Sequence, residues 1–328
     1  MKQYFLGIDG GQSHTTALVA DTQGRILGRG GAGPSNHTRE PGGRERLVTA
    51  VTKSVSEALA AAGLLRGKSI RDVPFASAYL AMTGEPEDKV DIVNELLRAE
   101  HLVVGHDAPG ALAGALAGKE GVIVLAGTGS VACGETRDGK FARIGGHGYL
   151  FGDEGSAFAI AVDALTVALH CEDRGQEHLL TPALRKYFKR DSLKAIAEDV
   201  YAGVLTRDRL ASFATKVSQL ADRKDDASQE ILEVAAENLA EMAISVVFKL
   251  GLEQSKQTVP VSFGGGVFNS RRVLRVFAEL VQETLPRVQV VPPQFGPEVG
   301  ALLLAYRQAG RKTTPKLLTQ ISETQAQI

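Results

Sequence analysis

Two segments of this chain place glycines and hydroxyl side chains directly after an apolar strand. The first is Leu6–Thr15, which contains Asp9-Gly10-Gly11, and the second is Val122–Ser130. Glycine-rich loops expose backbone N–H groups that bind phosphate oxygens, and nearby hydroxyls add donors. The sequence therefore predicts that nucleotide phosphates bind to Gly10, Gly11, Ser13, Thr15, Gly127, Thr128 and Gly129.

Asp9 stands where the first of these strands ends. A carboxylate at that place suits Mg²⁺, which prefers oxygen ligands and usually keeps several waters. An ordinary hairpin is the alternative for this loop, because Asp and Gly are also common turn residues. The second copy of the loop favours the phosphate-binding interpretation.

The two loops belong to an internal repeat with three predicted strands in each copy. Four glycines recur 115 positions later: Gly24, Gly30, Gly31 and Gly33 match Gly139, Gly145, Gly146 and Gly148. Such a repeat indicates two related domains, which we expect to span residues 1–117 and 118–328 and to face each other across a central cleft. Two phosphate-binding loops on opposite sides of a cleft suit one nucleotide, and the sequence thus points to ATP.

Strand and helix patterns alternate along the chain, which is typical of α/β proteins. In the second half a long helical insert occupies Ser156–Leu250, including one helix over Arg207–Leu220. We expect a last helix over Pro297–Gln308, followed by a mobile polar tail over Lys312–Ile328.

The overall composition excludes several classes of protein. The 328 residues carry a formal net charge of −1, which gives no field to attract nucleic acid or an anionic membrane. Two cysteines, Cys133 and Cys171, form no disulfide framework and lack metal-ligand spacing. Neither a signal-peptide core nor an apolar run long enough to span a bilayer is present, so we expect a cytoplasmic protein.

Two glycine patterns resemble the fingerprint of dinucleotide-binding folds, namely Gly28–Gly33 and Gly127–Ala132. That fingerprint must open a helix. Pro34 follows the first match and a predicted strand follows the second, so the sequence does not favour a dinucleotide fold.

Several motifs, taken in their order along the chain, resemble those of one protein family. These are Leu6–Thr15, Gly33-Pro34-Ser35-Asn36-His37, Asp107-Ala108, Gly127–Ser130, Gly145-Gly146-His147-Gly148 and Gly152-Asp153-Glu154-Gly155-Ser156. They resemble the N-acetylglucosamine kinases, which belong with the BadF/BcrA-type ATPases in the actin–hexokinase–heat-shock ATPase superfamily. Gly264-Gly265-Gly266 and Pro297–Ala301 resemble the adenosine motif and the terminal helix of that superfamily.

The resemblance implies an α/β fold of two ribonuclease-H-like domains, with mixed sheets flanked by helices and a central cleft that closes over ATP-Mg²⁺ and a sugar. It implies that Gly264, Gly265 and Gly266 contact the adenosine. Asp107 is the catalytic base that it implies, accepting the proton of the sugar 6-hydroxyl. The sugar ligands that it implies are Asn36, Asp107, Gly146, His147 and Asp153.

Structural roles are alternatives for four of these residues. Asp107 is also suited to capping a helix that begins near Pro109, a role compatible with catalysis. Asn36 suits a turn, Asp153 suits the first turn of a helix, and His147 suits a packed turn.

The family usually has Trp where this chain has His147. Histidine keeps a flat face and adds a polar nitrogen, but it offers much less apolar area. This departure leaves the substituent at sugar carbon 2 open, so the acceptor is glucosamine, N-acetylglucosamine, N-acetylmuramic acid or glucose.

Two other functions remain open at this point. A related class of ATPases activates dehydratases or reductases and holds an iron–sulfur cluster through paired cysteines, a sequence context that Cys133 and Cys171 lack. A non-catalytic sugar or nucleotide sensor is the third hypothesis. The resemblance also implies a homodimer.

Overall fold

The computed structural model describes residues 3–36 and 38–327 and contains ten strands and twelve α-helices within them. The strands are β1 (Tyr4–Gly10), β2 (Thr15–Asp21), β3 (Ile26–Ala32), β4 (Phe75–Met82), β5 (Ala99–His106), β6 (Gly121–Ala126), β7 (Ser130–Glu135), β8 (Phe141–Gly145), β9 (Val259–Gly264) and β10 (Val288–Val290). The helices are α1 (Gly43–Ala61), α2 (Glu87–Leu96), α3 (Asp107–Ala115), α4 (Ala157–Asp173), α5 (Leu180–Phe188), α6 (Leu193–Tyr201), α7 (Arg207–Ala211), α8 (Ala214–Asp222), α9 (Asp226–Leu250), α10 (Arg271–Thr284), α11 (Pro297–Gln308) and α12 (Pro315–Gln325). None of these helices is both long and apolar enough to cross a membrane.

The chain folds into two compact units. Unit 1 combines the segment that ends at Lys119 with the segment that begins at Pro293, and unit 2 is Glu120–Pro292. The sequence-based division at residue 117 agrees with the first boundary to within two residues, but it had placed the whole remainder in the second domain. The C-terminal segment lies in unit 1 because α11 packs against β1, β4 and α3.

Each unit contains one mixed five-stranded sheet, and the two sheets have the same topology. Their strand orders are β3-β2-β1-β4-β5 and β8-β7-β6-β9-β10. In each sheet the first strand pairs antiparallel with the second and parallel with the fourth. The repeat in the sequence is therefore a repeat of structure, and the predicted α/β fold with two helix-flanked mixed sheets is confirmed.

Side chains of β1 alternate between two apolar cores. Leu6 and Ile8 belong to the core under α1, whereas Phe5 packs with residues of α11 on the opposite face. Gly7 lies on the face of Phe5 against Leu302, where a Cβ would overlap the Leu302 backbone. Because strand side chains repeat with a period of two, Asp9 also lies on the α11 face.

Helices α3 and α11 approach each other closely through glycines. A Cβ on Gly300 would overlap the Gly110 carbonyl oxygen and the Gly114 backbone nitrogen. Asp107 begins α3, and Glu298 lies in the first turn of α11. The close packing of these helices fixes the position of both carboxylates within unit 1.

The predicted mobile tail over Lys312–Ile328 is wrong for its described part, because Pro315–Gln325 forms α12. Thr314 caps this helix by accepting a hydrogen bond from the Leu317 N–H, and Pro315 occupies the first turn. Leu317 and Ile321, four residues apart, are buried in the core of unit 1. Two apolar residues four positions apart are a weak helical signal in the sequence. They are sufficient to hold α12 in place here because they cover an apolar face of the unit 1 sheet.

The single helix predicted over Arg207–Leu220 is also wrong. The chain forms α7 and α8 instead, with Ser212 and Phe213 between them. Phe213 is fully buried against Tyr187 and Phe188, with ring centroids 5.3 and 5.7 Å away. Burial of this ring accompanies the break, so packing overrides the continuous helical pattern.

We predict that Gly300→Ala destabilises the protein, because the added methyl group has no space between α11 and α3. The expected loss is about 1–3 kcal/mol or more of unfolding free energy, as for overpacked cores, measured by urea denaturation. Gly31→Ala is the matched control, since a Cβ there meets nothing within 4 Å. An equal loss in both variants would contradict the close-packing argument.

Candidate functional site

The carboxyl ends of three parallel strands meet at one edge of the unit 1 sheet. Gly10 of β1 is in register with Met82 of β4, and Met82 is in register with His106 of β5. The next residues along β4 and β5 are Thr83 and Asp107, while Asp9 immediately precedes Gly10. Parallel pairing thus gathers a carboxylate, a hydroxyl and a second carboxylate at the edge where open α/β sheets usually bind ligands.

Asp107 is half-buried and held by a neighbouring strand. Its Oδ2 accepts a hydrogen bond of 2.8 Å from the Thr83 hydroxyl. His106 occupies the N-cap position of α3 and makes no side-chain capping hydrogen bond. Asp107 is the first residue of the helix. The proposed capping role of Asp107 is therefore wrong, and the bond to Thr83 fixes its carboxylate instead.

Asp9 lies in an environment that disfavours its negative charge. Burial, followed by the nearby carboxylates of Glu298 and Asp107, raises the pKa of Asp9 from 3.8 to about 7. Desolvation and like charges both favour the protonated acid. A bound cation would reverse this preference, which fits the metal-binding role predicted for Asp9. Among residues 3–36 and 38–327, no group of three or more His, Cys, Asp or Glu side chains is arranged to hold a metal ion.

The first phosphate loop packs against the segment that contains Asn36. The Ser35 N–H donates to the Gly11 carbonyl at 3.2 Å, and the Thr15 hydroxyl donates to the Gly33 carbonyl at 2.9 Å. A Cβ on Gly10 would lie 2.6 Å from the Ser35 Oγ, a buried atom without a hydrogen-bond partner in the described residues. Glycine at position 10 therefore allows the close approach of the Ser35 segment, which brings an unsatisfied hydroxyl next to the Gly10 backbone.

Other residues of these two segments differ in exposure. Asn36 is buried, and its backbone carbonyl accepts a hydrogen bond from Arg46 Nε at 3.2 Å. Ser13 is exposed at the tip of the loop. His37, part of the same motif, lies outside the described residues.

A cavity of about 450 Å³ lies entirely within unit 2. It is lined by Gly127 and Thr128 of the second phosphate loop, by Gly266, and by α7 and α8 residues that include Asp208 and Thr215. The structure thus brings together two predicted sites that are more than 130 positions apart in the sequence. Their meeting at one cavity, mostly closed by the helical insert, is typical of a small-molecule site.

Gly264, Gly265 and Gly266, at the end of β9, differ in why glycine suits each position. Gly265 has φ +92°, and a Cβ there would overlap the backbone of Ala126 at the end of β6. Gly264 lies beside Leu125, whereas Gly266 has open space and lines the cavity. Gly265 therefore allows the close approach of the two strand ends, and Gly266 leaves room for a ligand.

Asp153 is buried and held by two partners within unit 2. Its Oδ1 accepts a hydrogen bond of 3.0 Å from the Ser130 N–H, and its Oδ2 forms an ion pair with the Arg207 guanidinium. A Cβ on Gly129 would lie 2.7 Å from Asp153 Oδ1. Asp153 itself has φ +64°, a backbone conformation rare for residues other than glycine. Asp153 is thus bonded to the loop after β6 and precedes Ser156, the N-cap of α4, so it is not a first-turn acid.

Gly146 and His147 form an exposed loop after β8. Gly146 has φ +70°, and its carbonyl accepts a hydrogen bond of 3.0 Å from Arg143. His147 is exposed, which disfavours the alternative of a packed turn residue. Tyr149, Leu150 and Phe151 follow and are 51%, 70% and 83% exposed.

Sequence reasoning missed four residues of these two regions: Thr83, Ser35, Glu298 and Arg207. Ser35 and Glu298 stand inside motifs that the sequence offered, but neither was assigned a role. Thr83 follows a strand directly, the same signal that identified Asp9. Arg207 lies in a helical insert without any motif, so only the structure reveals its contacts.

The chain is similar to proteins of one known family. The model of the BadF/BadG/BcrA/BcrD ATPase family matches residues 6–305. The N-acetylmuramic acid/N-acetylglucosamine kinase of Clostridium acetobutylicum is 29% identical over 92% of this chain and 98% of its own length. The N-acetyl-D-glucosamine kinase of Dictyostelium discoideum is 28% identical over 93% of this chain and 98% of its own. A solved structure of a candidate N-acetylglucosamine kinase from Chromobacterium violaceum has a TM-score of 0.72 and 25% identity, covering 92% of this chain and 99% of that chain.

We predict a pH-dependent gain in stability for Asp9→Asn in the ligand-free protein. Because the folded-state pKa of about 7 exceeds the 3.8 of an exposed aspartate, the folded state holds this proton more tightly than the unfolded state. The free energy of unfolding of the wild type therefore falls as pH rises toward 7. Asp9→Asn has no carboxyl group at this position and so does not lose stability in this way. The melting temperature of the variant minus that of the wild type should therefore increase from pH 5 to pH 8.

Asp138→Asn is the control of opposite sign. Its hydrogen bond from Thr136 lowers the pKa of Asp138, so the effect of this variant should stay constant over the same pH range. A melting-temperature difference for Asp9→Asn that does not change with pH would contradict the assignment of the raised pKa.

Proposed function

The chain belongs to the BadF/BadG/BcrA/BcrD ATPase family, and from this premise we propose that it is an ATP-dependent amino-sugar kinase. The acceptor in this proposal is N-acetylglucosamine, glucosamine or a close relative, and the phosphoryl group goes to its 6-hydroxyl. The names of the relatives from Clostridium acetobutylicum and Dictyostelium discoideum support this choice of substrate class.

The observation that carries the proposal is the placement of Asp107. A half-buried carboxylate at a sheet edge suits a general base when one oxygen is held by Thr83 and the other makes no hydrogen bond to residues 3–36 and 38–327. Phosphoryl transfer demands mainly positioning and charge neutralisation, which a fixed carboxylate provides for the nucleophile. We propose that Asp107 accepts the proton of the 6-hydroxyl as the sugar oxygen bonds to the γ-phosphorus and the bond to the β-phosphate oxygen breaks, which releases ADP.

The nucleotide has a place in unit 2 in this proposal. The cavity of about 450 Å³ suits an adenosine, with Gly266 beside it and Gly127 and Thr128 at the phosphate end. In unit 1, the loop around Gly10 and Gly11 would contribute further phosphate contacts, with the Ser35 hydroxyl available as an extra donor.

Asp9 would hold Mg²⁺ through water molecules. When bound, the metal would neutralise charge on the transferred phosphoryl group. The raised pKa of Asp9 supports this role, because burial and then the carboxylates of Glu298 and Asp107 disfavour its charge, and a cation would offset both effects.

Asn36, Gly146, His147 and Asp153 remain the proposed sugar ligands. Asp153 would bind a sugar hydroxyl while held by Ser130 and Arg207. The activator hypothesis gains no support, because Cys133 is buried in β7 and Cys171 lies in α4, far apart in the chain. The homodimer and the cytoplasmic location remain predictions.

We predict that Asp107→Asn abolishes most of the kinase activity. The amide cannot accept the hydroxyl proton, so kcat should fall about 100-fold or more, the usual contribution of a general base. A coupled assay of ADP release with a panel of sugars measures this. Asp91→Asn, an exposed acid on α2, should retain full activity. Retention of full rate by Asp107→Asn would remove the base assignment, and inactivity of the wild type on every sugar would overturn the proposed function.

We predict that His147→Trp changes the choice among sugars. The indole adds apolar area against an N-acetyl methyl group, so the ratio of kcat/KM for N-acetylglucosamine to that for glucosamine should rise severalfold. The same coupled assay gives this ratio. His170→Trp, at an exposed position of α4, is the control and should leave it unchanged. An unaltered ratio in His147→Trp would place this residue outside the sugar pocket.

A further inference from the structure

We propose that Arg207 is a positioning residue that connects the wall of the nucleotide cavity to the Asp153 carboxylate. This inference rests on the proposed function, since it concerns the sugar ligand Asp153. It goes beyond the resemblance, because Arg207 belongs to the helical insert and to none of the motifs.

The guanidinium of Arg207 contacts three separate segments of unit 2. It forms an ion pair with Asp153 and donates to the Thr128 carbonyl at 3.3 Å. Its Cζ lies 5.3 Å from the Tyr149 ring centroid and 5.6 Å from that of Phe158, distances that allow cation–π attraction. One side chain therefore joins the phosphate loop, the loop after His147 and the start of α4.

The backbone of Arg207 belongs to a helix that forms part of the cavity wall. Helix α7 has only five residues, and two of them, Asp208 and Ala211, line the cavity with Thr128. A ligand that moves α7 or Thr128 must therefore also move the guanidinium. The side chain of Arg207 thus connects α7 to Asp153, in addition to the backbone connection through the Ser130 N–H.

The ion pair between Arg207 and Asp153 is costly to break because Asp153 is buried, so a substitution of Arg207 should have a large effect. Asp153 is 6% exposed, and removal of its only cationic partner in this contact leaves a buried charge held by one N–H. The Nε of Arg207 is buried without a hydrogen-bond partner among the described residues, and the backbone at Asp153 has φ +64°. Unsatisfied donors and rare backbone conformations persist where the surroundings fix them, often at functional sites.

Coupling between the two ligands is the consequence of this arrangement. If Arg207 transmits the state of the cavity to Asp153, bound nucleotide should raise sugar affinity, and sugar should raise nucleotide affinity by the same factor.

Arg207→Met tests the proposal in the full-length protein, with titration calorimetry and steady-state kinetics as readouts. We expect the wild type to bind N-acetylglucosamine or glucosamine about fivefold or more tightly in the presence of a non-hydrolysable ATP analogue, within the usual range of such couplings. In Arg207→Met the sugar KM should rise about tenfold or more and the coupling factor should fall to about one. The ATP KM at saturating sugar should rise by about the lost coupling factor, whereas the affinity for the ATP analogue without sugar should change less than about threefold. Arg207→Lys keeps the charge but not the planar fork, and it should restore part of the coupling.

Arg190→Met is the matched control, since Arg190 forms an ion pair of 2.5 Å with Asp199 elsewhere in unit 2. It should leave both KM values and the coupling factor unchanged. Equal effects of the two substitutions, or full coupling in Arg207→Met, would overturn the proposal. If Arg207→Met does not fold, Arg207→Lys serves as the test. Wild-type coupling and a wild-type sugar KM in Arg207→Lys would overturn the proposal, whereas a loss of coupling at an unchanged melting temperature would support it.

Hydrogen exchange separates this inference from the proposed function. Residues 149–156 should gain amide protection when the ATP analogue binds to the wild type, and Arg207→Met should lose that gain even if no sugar is a substrate. A wild type that shows nucleotide-dependent protection but phosphorylates no sugar would overturn the proposed function alone. Equal protection in wild type and Arg207→Met would overturn the role of Arg207 alone.

Discussion

Parallel pairing of β1, β4 and β5 is the constraint on which the unit 1 site depends. It brings the ends of three strands that are distant in the sequence into one register, which places Asp9, Thr83 and Asp107 at the same edge. The close contact of α3 with α11 then adds Glu298 to this edge. Burial, together with these neighbouring carboxylates, raises the pKa of Asp9, so the backbone arrangement itself favours a cation beside Asp9.

Unit 2 uses the same sheet topology for a different purpose. The edge that carries acidic groups in unit 1 carries glycines in unit 2, at Gly127 and Gly264–Gly266. The helical insert supplies α7 and α8, which line a cavity together with Gly127 and Gly266. The two sheets thus share a topology but differ at their strand ends, which carry charged side chains in unit 1 and border a cavity in unit 2.

The sequence was informative where local chemistry determines structure. Strand ends followed by glycines predicted the loops after β1 and β6, and the glycine spacing identified the repeat, because glycines at turns and close contacts leave a fixed pattern. Contacts between side chains that lie far apart in the sequence were not predictable. The Thr83–Asp107 bond, the Glu298 charge beside Asp9 and the Arg207–Asp153 pair depend on how the chain folds back, and none has a local signal. Tertiary burial likewise explains why α12 forms and why α7 and α8 are separate.

The return of residues 293–327 to unit 1 has a consequence for synthesis of the chain. Phe5 and Leu18 belong to a core that is completed only by α11 and α12, and the Ile26 N–H finds its acceptor in the Thr324 hydroxyl. On the ribosome, unit 2 is therefore complete before one face of the first sheet is covered. During that interval the nascent chain exposes an apolar surface of the kind that chaperones recognise, and a protein truncated near its end retains it.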